Sequence, residues 1–189
     1  MNTLYIIIAA LLVLLVIGAI LLAPVFARRK KTERLQEHFG PEYDHTVQAM
    51  GGEKKAQTEL DARQKHVDTL NIRPLSVSER GRYLEEWTAV QSKFVDEPGQ
   101  AIVDADHLIV EVMQLRNYPV SDFDQRAADL SVNYPALVTN YRAARAIATK
   151  NEQLQADTEE LRQAMIYYRS LFEELLETEP VVVAQESLR

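Results

Sequence analysis

Residues 76–113 read SVSERGRYLEEWTAVQSKFVDEPGQAIVDADHLIVEVM, and this stretch decides the fold class. Ser76 stands three residues before Glu79, the spacing of a capping box, in which the serine oxygen takes a first-turn amide and the glutamate returns to the cap amide. Beyond the cap, Tyr83, Leu84, Trp87, Val90 and Phe94 recur at three- and four-residue steps, which predicts one apolar helix face. Asp96-Glu97-Pro98-Gly99 ends that helix, and Pro98 suits the first position of the next. There Ile102, Ala105, Leu108, Ile109, Val112 and Met113 repeat the pattern. Two such helices joined by so short a turn make an αα-hairpin.

The same reading extends towards the C-terminus. Tyr118-Pro119 stops the second helix, and Ser121 is expected to cap a shorter one over Asp122–Val132. Tyr134-Pro135 breaks again, and Ala136–Lys150 follows with Leu137, Tyr141, Ala144, Ile147 and Ala148 turned inward. Asp157 or Thr158 caps a final helix to about Glu177, where Leu161, Ala164, Met165, Tyr168, Leu171, Phe172, Leu175 and Leu176 give a wide apolar stripe. The expectation is an all-α bundle over residues 76–177 with a disordered tail over 178–189. No strand pattern and no repeat at solenoid periods stands out.

Towards the N-terminus the pattern weakens. Thr32–Phe39 reads as helix stopped by Gly40, and Pro41 opens a helix to about Met50, ended by Gly51-Gly52. Glu53–Leu70 is highly charged and weakly periodic, which predicts a solvated helical arm broken by Ile72-Arg73-Pro74-Leu75. Residues 28–75 are thus expected to be a basic collar and a charged helical linker.

Residues 1–27 carry no charged side chain, and from Leu4 to Phe26 every residue is apolar or small. As a helix this run reaches about 34 Å, enough to cross a hydrocarbon core of ~30 Å. Arg28, Arg29, Lys30, Lys31 and Arg34 follow it, whereas only Met1, Asn2 and Thr3 precede it. Basic residues stay on the cytoplasmic side, so the expected topology is a single-pass anchor with its N-terminus outside and its domain cytoplasmic. The alternative is export after signal cleavage at Ala27, on the strength of Val25-Phe26-Ala27. Against it stand the missing basic n-region and an apolar run longer than the usual ~7–15 residues.

Beyond Arg34 the chain carries 16 basic and 27 acidic residues, a net of −11. Such a body is repelled by nucleic acid and by anionic lipid. The collar has the opposite sign, so Arg28, Arg29, Lys30, Lys31 and Arg34 are expected to meet anionic headgroups. The chain has no cysteine, which excludes disulfides and thiolate chemistry.

Candidate ligands for a metal are Asp104, Asp106, His107 and Glu111 on one helix, and the Glu42/His45 pair. Each also has an ordinary reading as a solvated charged face, and neither has the ligands from other helices that a site needs. His38, His45 and His66 read as surface residues. Ser76 and Ser121 are explained as caps, and Gly51-Gly52 as a helix stop, so neither a nucleophile with its base nor a phosphate loop is expected. Asp122, Asp124, Arg126 and Asp129 form a dense polar group, read as first-turn carboxylates with an exposed arginine or else as a buried ion network or a binding surface. Tyr167 next to Tyr168 cannot share its face, and with Arg169 and Glu173 it is a candidate partner surface.

Three segments carry a resemblance: FGPEYD (39–44), YPVSDFDQRAADLS (118–131) and LRQAMIYYRSLFEEL (161–175). Together they resemble a family of uncharacterised bacterial proteins, over roughly Leu35 to Glu177. The resemblance implies a bacterial source and a membrane or secreted location, and no catalytic residue to carry over. The functional expectation is a membrane-tethered, non-enzymatic interaction or scaffold domain at the bacterial inner membrane, with an unknown protein partner and no cofactor. The alternative is a membrane-bound enzyme or small-ligand sensor with a site between bundle helices near Asp104, His107 and Asp122.

Overall fold

The computed structural model describes residues 29–177. Among the described residues the chain is all-helical, with no strand. Eight helices follow one another: α1 (29–39), α2 (Pro41–Met50), α3 (Glu53–Thr69), α4 (Val77–Lys93), α5 (Pro98–Leu115), α6 (Phe123–Asn133), α7 (Pro135–Glu152) and α8 (Thr158–Glu177). Both the Leu4–Phe26 anchor and the 178–189 tail lie outside the described residues. Among the described residues no helix is long and apolar enough to cross a membrane.

Local chemistry sets the helix ends. At α4 both halves of the capping box form: the Glu79 amide donates to Ser76 Oγ at 3.2 Å and the Ser76 amide to Glu79 Oε2 at 2.8 Å. Asp157 and Glu160 repeat the device before α8, at 2.8 and 3.2 Å. Gly51 closes α2 in the left-handed conformation, φ 68°, and the Gly52 amide reaches back to the Val47 carbonyl at 3.1 Å. A side chain at Gly51 would be strained there.

Helix α8 is the central element, packed against both α5 and α7. One large apolar cluster joins α4–α8. Within it Trp87 stacks on Phe172, ring centroids 4.5 Å apart at 17°, and Tyr141 meets Tyr168 edge-on at 6.2 Å. Such pairs add to the stabilisation from area alone. A second, small cluster lies under α1–α3: Leu35, Phe39, Tyr43, Leu60, Val67 and Val132.

This second cluster corrects the linker expectation. Glu53–Leu70 is not a solvated arm; α3 buries Ala56, Leu60 and Val67 and packs on α2 and α6, while α2 packs on α7. Those three apolar positions make too narrow a stripe to stand out among the surrounding charges. Leu84 is also corrected. It is 48 % exposed, because α4 turns Tyr83, Trp87 and Val90 inward and the residue after Tyr83 is rotated about 100° away. Finally, Asp122 rather than Ser121 caps α6, its carboxylate accepting the Gln125 amide at 2.8 Å.

Candidate functional site

The collar sits on α1, whose inner face is fixed by the burial of Leu35 and Phe39. Side-chain bonds add to that anchorage: Gln57 of α3 donates to Thr32 Oγ1 at 2.9 Å and to the Tyr43 hydroxyl at 3.3 Å. The collar cations then divide. Arg28 lies outside the described residues. Arg29 and Lys30 are exposed and make no ion pair with another described residue. Lys31 and Arg34 both turn to Asp61 of α3, at 2.5 and 3.5 Å. Sequence reading placed all five cations towards headgroups; it missed Asp61, which lies 27 residues beyond Arg34 with nothing to mark it.

One helix on, Glu42 is wholly buried, although it was expected at an exposed site outside the bundle. Arg63 of α3 donates to Oε1 at 2.8 Å, and Arg142 of α7 donates to both carboxylate oxygens, at 2.9 Å from Nη2 to Oε1 and by a short bond from Nη1 to Oε2. Burial alone would raise the Glu42 pKa. The hydrogen bonds and charges of Arg142 and Arg63 outweigh burial and leave the carboxyl below its ordinary value. His45 Nδ1 approaches Glu42 Oε2 at 3.8 Å with its ring half exposed. The arrangement is an ion triad joining α2, α3 and α7, and the arginines occupy the carboxylate that a metal would need.

A second buried carboxylate, Asp129 of α6, faces α3. Gln125 donates to its Oδ1 at 2.8 Å and His66 Nε2 lies 3.7 Å from the same atom, but Oδ2 has no donor among the described residues. Here burial dominates and the pKa is raised; Gln125, His66 and Arg63 lower it by less, and Asp122 adds to the rise. Of the polar group read in the sequence, then, Asp129 is buried, Asp122 is the cap, and Asp124 is exposed. Arg126 donates to the Val120 carbonyl at 3.3 Å.

The candidate ligands on α5 do not converge. Asp104 accepts from Lys93 at 2.7 Å and Gln100 at 3.0 Å, while His107 and Glu111 are exposed. Asp106 points into the bundle, where the Tyr168 hydroxyl donates to it at 3.0 Å and Arg145 at 3.3 Å. Among the described residues no three His, Asp or Glu side chains are placed to hold a metal ion. Tyr167 is half-buried against the main cluster, and Arg169 pairs with Glu173 at 2.7 Å on the surface. Arg116 was not singled out by sequence reading. It is almost fully buried, and its guanidinium donates to the Tyr134 hydroxyl at 2.8 Å, the Leu175 carbonyl at 2.9 Å and the Arg73 carbonyl at 3.2 Å.

No family model, curated protein or solved structure matches the chain. Any functional reading therefore rests on this geometry and on the sequence.

Proposed function

We propose that the chain is a membrane-tethered, non-enzymatic interaction or scaffold domain, anchored through Leu4–Phe26 with its helical body on the cytoplasmic side. The observation that carries this reading is the docking of α1. The described part of this helix (29–39) follows the apolar run within a few residues of sequence, and Leu35 and Phe39 seat it in the small cluster shared with α2, α3 and α6. A tether separated from a packed layer by so few residues restricts the domain's orientation more than a long flexible linker would. Holding a domain near a bilayer raises its effective concentration towards other membrane-bound proteins.

Charge supports the orientation. Arg29 and Lys30 are exposed on α1, where an anionic headgroup layer attracts them. The net −11 body favours standing off from the same surface. Apolar side chains offered to solvent include Val77 and Leu84, seven residues apart on one side of α4, with Val95 and Leu154 in the loops after α4 and α7. These are candidate contacts for a protein partner.

Topology and role are tested separately. A C-terminal alkaline phosphatase fusion should be inactive and a C-terminal fluorescent fusion bright; active phosphatase would overturn the cytoplasmic assignment. Photo-crosslinking residues at Val77, Leu84, Val95 and Leu154 in the membrane-embedded chain should trap a discrete second protein. Adducts at none of the four positions would overturn the interaction reading.

A further inference from the structure

We propose that Asp61 is a built-in counter-ion that competes with anionic lipid headgroups for the collar, so that lipid phosphate engages Lys31 and Arg34 only by displacing it. The inference rests on the tethered reading and sharpens its lipid partner. In the structure one aspartate holds two cations, Lys31 at 2.5 Å and Arg34 at 3.5 Å, while Arg29 and Lys30 have no such acid among the described residues. The two held side chains remain 40 % and 67 % exposed, and Asp61 itself 26 %. The pairs are therefore open to solvent and exchangeable, for exposed ion pairs are weak and screened by salt. A phosphodiester with its flanking oxygens offers the guanidinium of Arg34 a bidentate acceptor, which the single 3.5 Å contact to Asp61 does not.

Geometry keeps the competitor in place. Asp61 follows Gln57 by one turn of α3, and Gln57 is hydrogen-bonded to Thr32 on α1. Leu60 beside it is fully buried in the small cluster. The carboxylate is thus presented to the collar by a packed helix, while Lys31 and Arg34 swing on long, flexible stems. At low anionic-lipid content two cations face the bilayer from the described collar; at high content four do. The collar would respond to lipid charge more steeply than four free cations.

The test reconstitutes the full chain into nanodiscs of mixed phosphatidylcholine and phosphatidylglycerol. Native mass spectrometry reads the ratio of the two lipids retained. Asp61→Asn should raise phosphatidylglycerol enrichment by up to about fivefold, the effect of freeing a weakly held cation near an anionic surface. Lys31→Gln with Arg34→Gln should lower it, and adding Asp61→Asn in that background should change nothing further. An unchanged ratio in Asp61→Asn overturns the proposal. So does an Asp61→Asn effect that persists without Lys31 and Arg34, since that would be general surface charge. If inorganic phosphate abolishes the enrichment, the cations form a site for free phosphate and the lipid assignment falls. Carbonate washing separates the two readings: a chain that washes off membranes overturns the tether, and cosedimentation of that chain and its variants with phosphatidylglycerol vesicles then makes the same comparison.

Discussion

The α4–α8 bundle and the α1–α3 layer are both helical and both packed, yet different forces hold them. The bundle closes over one continuous apolar cluster, with Trp87, Phe172, Tyr141 and Tyr168 at its centre. The layer has six buried apolar residues, one of them Val132 lent by α6, and is fastened by ionised groups: Glu42 between Arg63 and Arg142, and Lys31 and Arg34 on Asp61. Apolar burial is indifferent to pH and weakly dependent on salt, whereas ion pairs respond to both. The difference makes the bundle the part that solution conditions leave alone and the α1–α3 layer the part that pH and salt can adjust.

The largest expected effect tests the bundle. Trp87→Ala removes a ring that is 4 % exposed and stacked on Phe172, and should cost about 3–5 kcal/mol. That is a large share of an ordinary domain's stability of ~5–15 kcal/mol, so helicity and tertiary signal should be lost together well below the wild-type midpoint. An unchanged midpoint would show that the α4 face is not core.

A smaller loss, confined to the layer, is expected from Glu42→Gln. Removing one member of a fully buried ion pair costs ~3–5 kcal/mol; here the arginine side chains keep 13 % and 24 % exposure, so about 2–3 kcal/mol is expected. Native-state hydrogen exchange should show amides of α1–α3 losing protection while those of α5 and α8 keep theirs. Equal loss in both regions would mean that the two form one cooperative unit and that the contrast drawn above has no energetic content.

How legible these regions were follows the same division. The bundle helices were readable because Trp87, Ile109 or Leu171 announces burial by its residue type, and because Ser76, Pro98 and Asp157 mark ends by local chemistry. In the layer, Glu53–Leu70 reads as a solvated arm because the pairs that fasten the layer are distant in sequence: Glu42 meets Arg142 across 100 residues, and Arg34 meets Asp61 across 27. A buried glutamate and an exposed one look alike until the arginine is placed. The same reason hid Arg116 and the burial of Asp106, charged residues at positions where helical periodicity marks only their apolar neighbours. The collar cations were legible as cations; that two of them are already occupied was not.

Of the three buried carboxylates, Glu42 and Asp129 predict opposite responses to pH. The pKa of Glu42 is lowered in the folded state, so its contribution is present above the ordinary carboxyl value and is lost as pH falls through the lowered one. For Asp129 the shift is upward, so its contribution is favourable in acid and is lost as pH rises through the raised value. Asp129→Asn should therefore remove a decline in stability of the α3–α6 contact as pH rises from the ordinary carboxyl range through the raised value. It should also stabilise the neutral-pH layer by about 1 kcal/mol, the lower end of the cost of a buried polar atom without a partner. Hydrogen exchange of α3 and α6 at several pH values reads both. A variant less stable than wild type at neutral pH would mean that the His66 contact at 3.7 Å outweighs the unpartnered oxygen.

The smallest effect separates stability from function in the loop after α7. Leu154 follows α7 with φ 57° and is 93 % exposed. A left-handed leucine is strained, and its side chain gains almost no burial in return. The other non-glycine residue with positive φ is Asn117, a type that tolerates this conformation, and its amide donates to the Asn71 carbonyl at 2.8 Å. Leu154→Gly should thus relieve strain and stabilise by about 0.5–1 kcal/mol, read as a small rise in the unfolding midpoint. If Leu154 is a contact for the partner, the same substitution should abolish the adduct trapped by a photo-crosslinker at Val95 while the midpoint rises. Stability gained and adduct lost would mark Leu154 as a functional residue kept at a cost to the fold. Stability gained with the adduct intact would keep Val95 in the interaction surface and remove Leu154 from it.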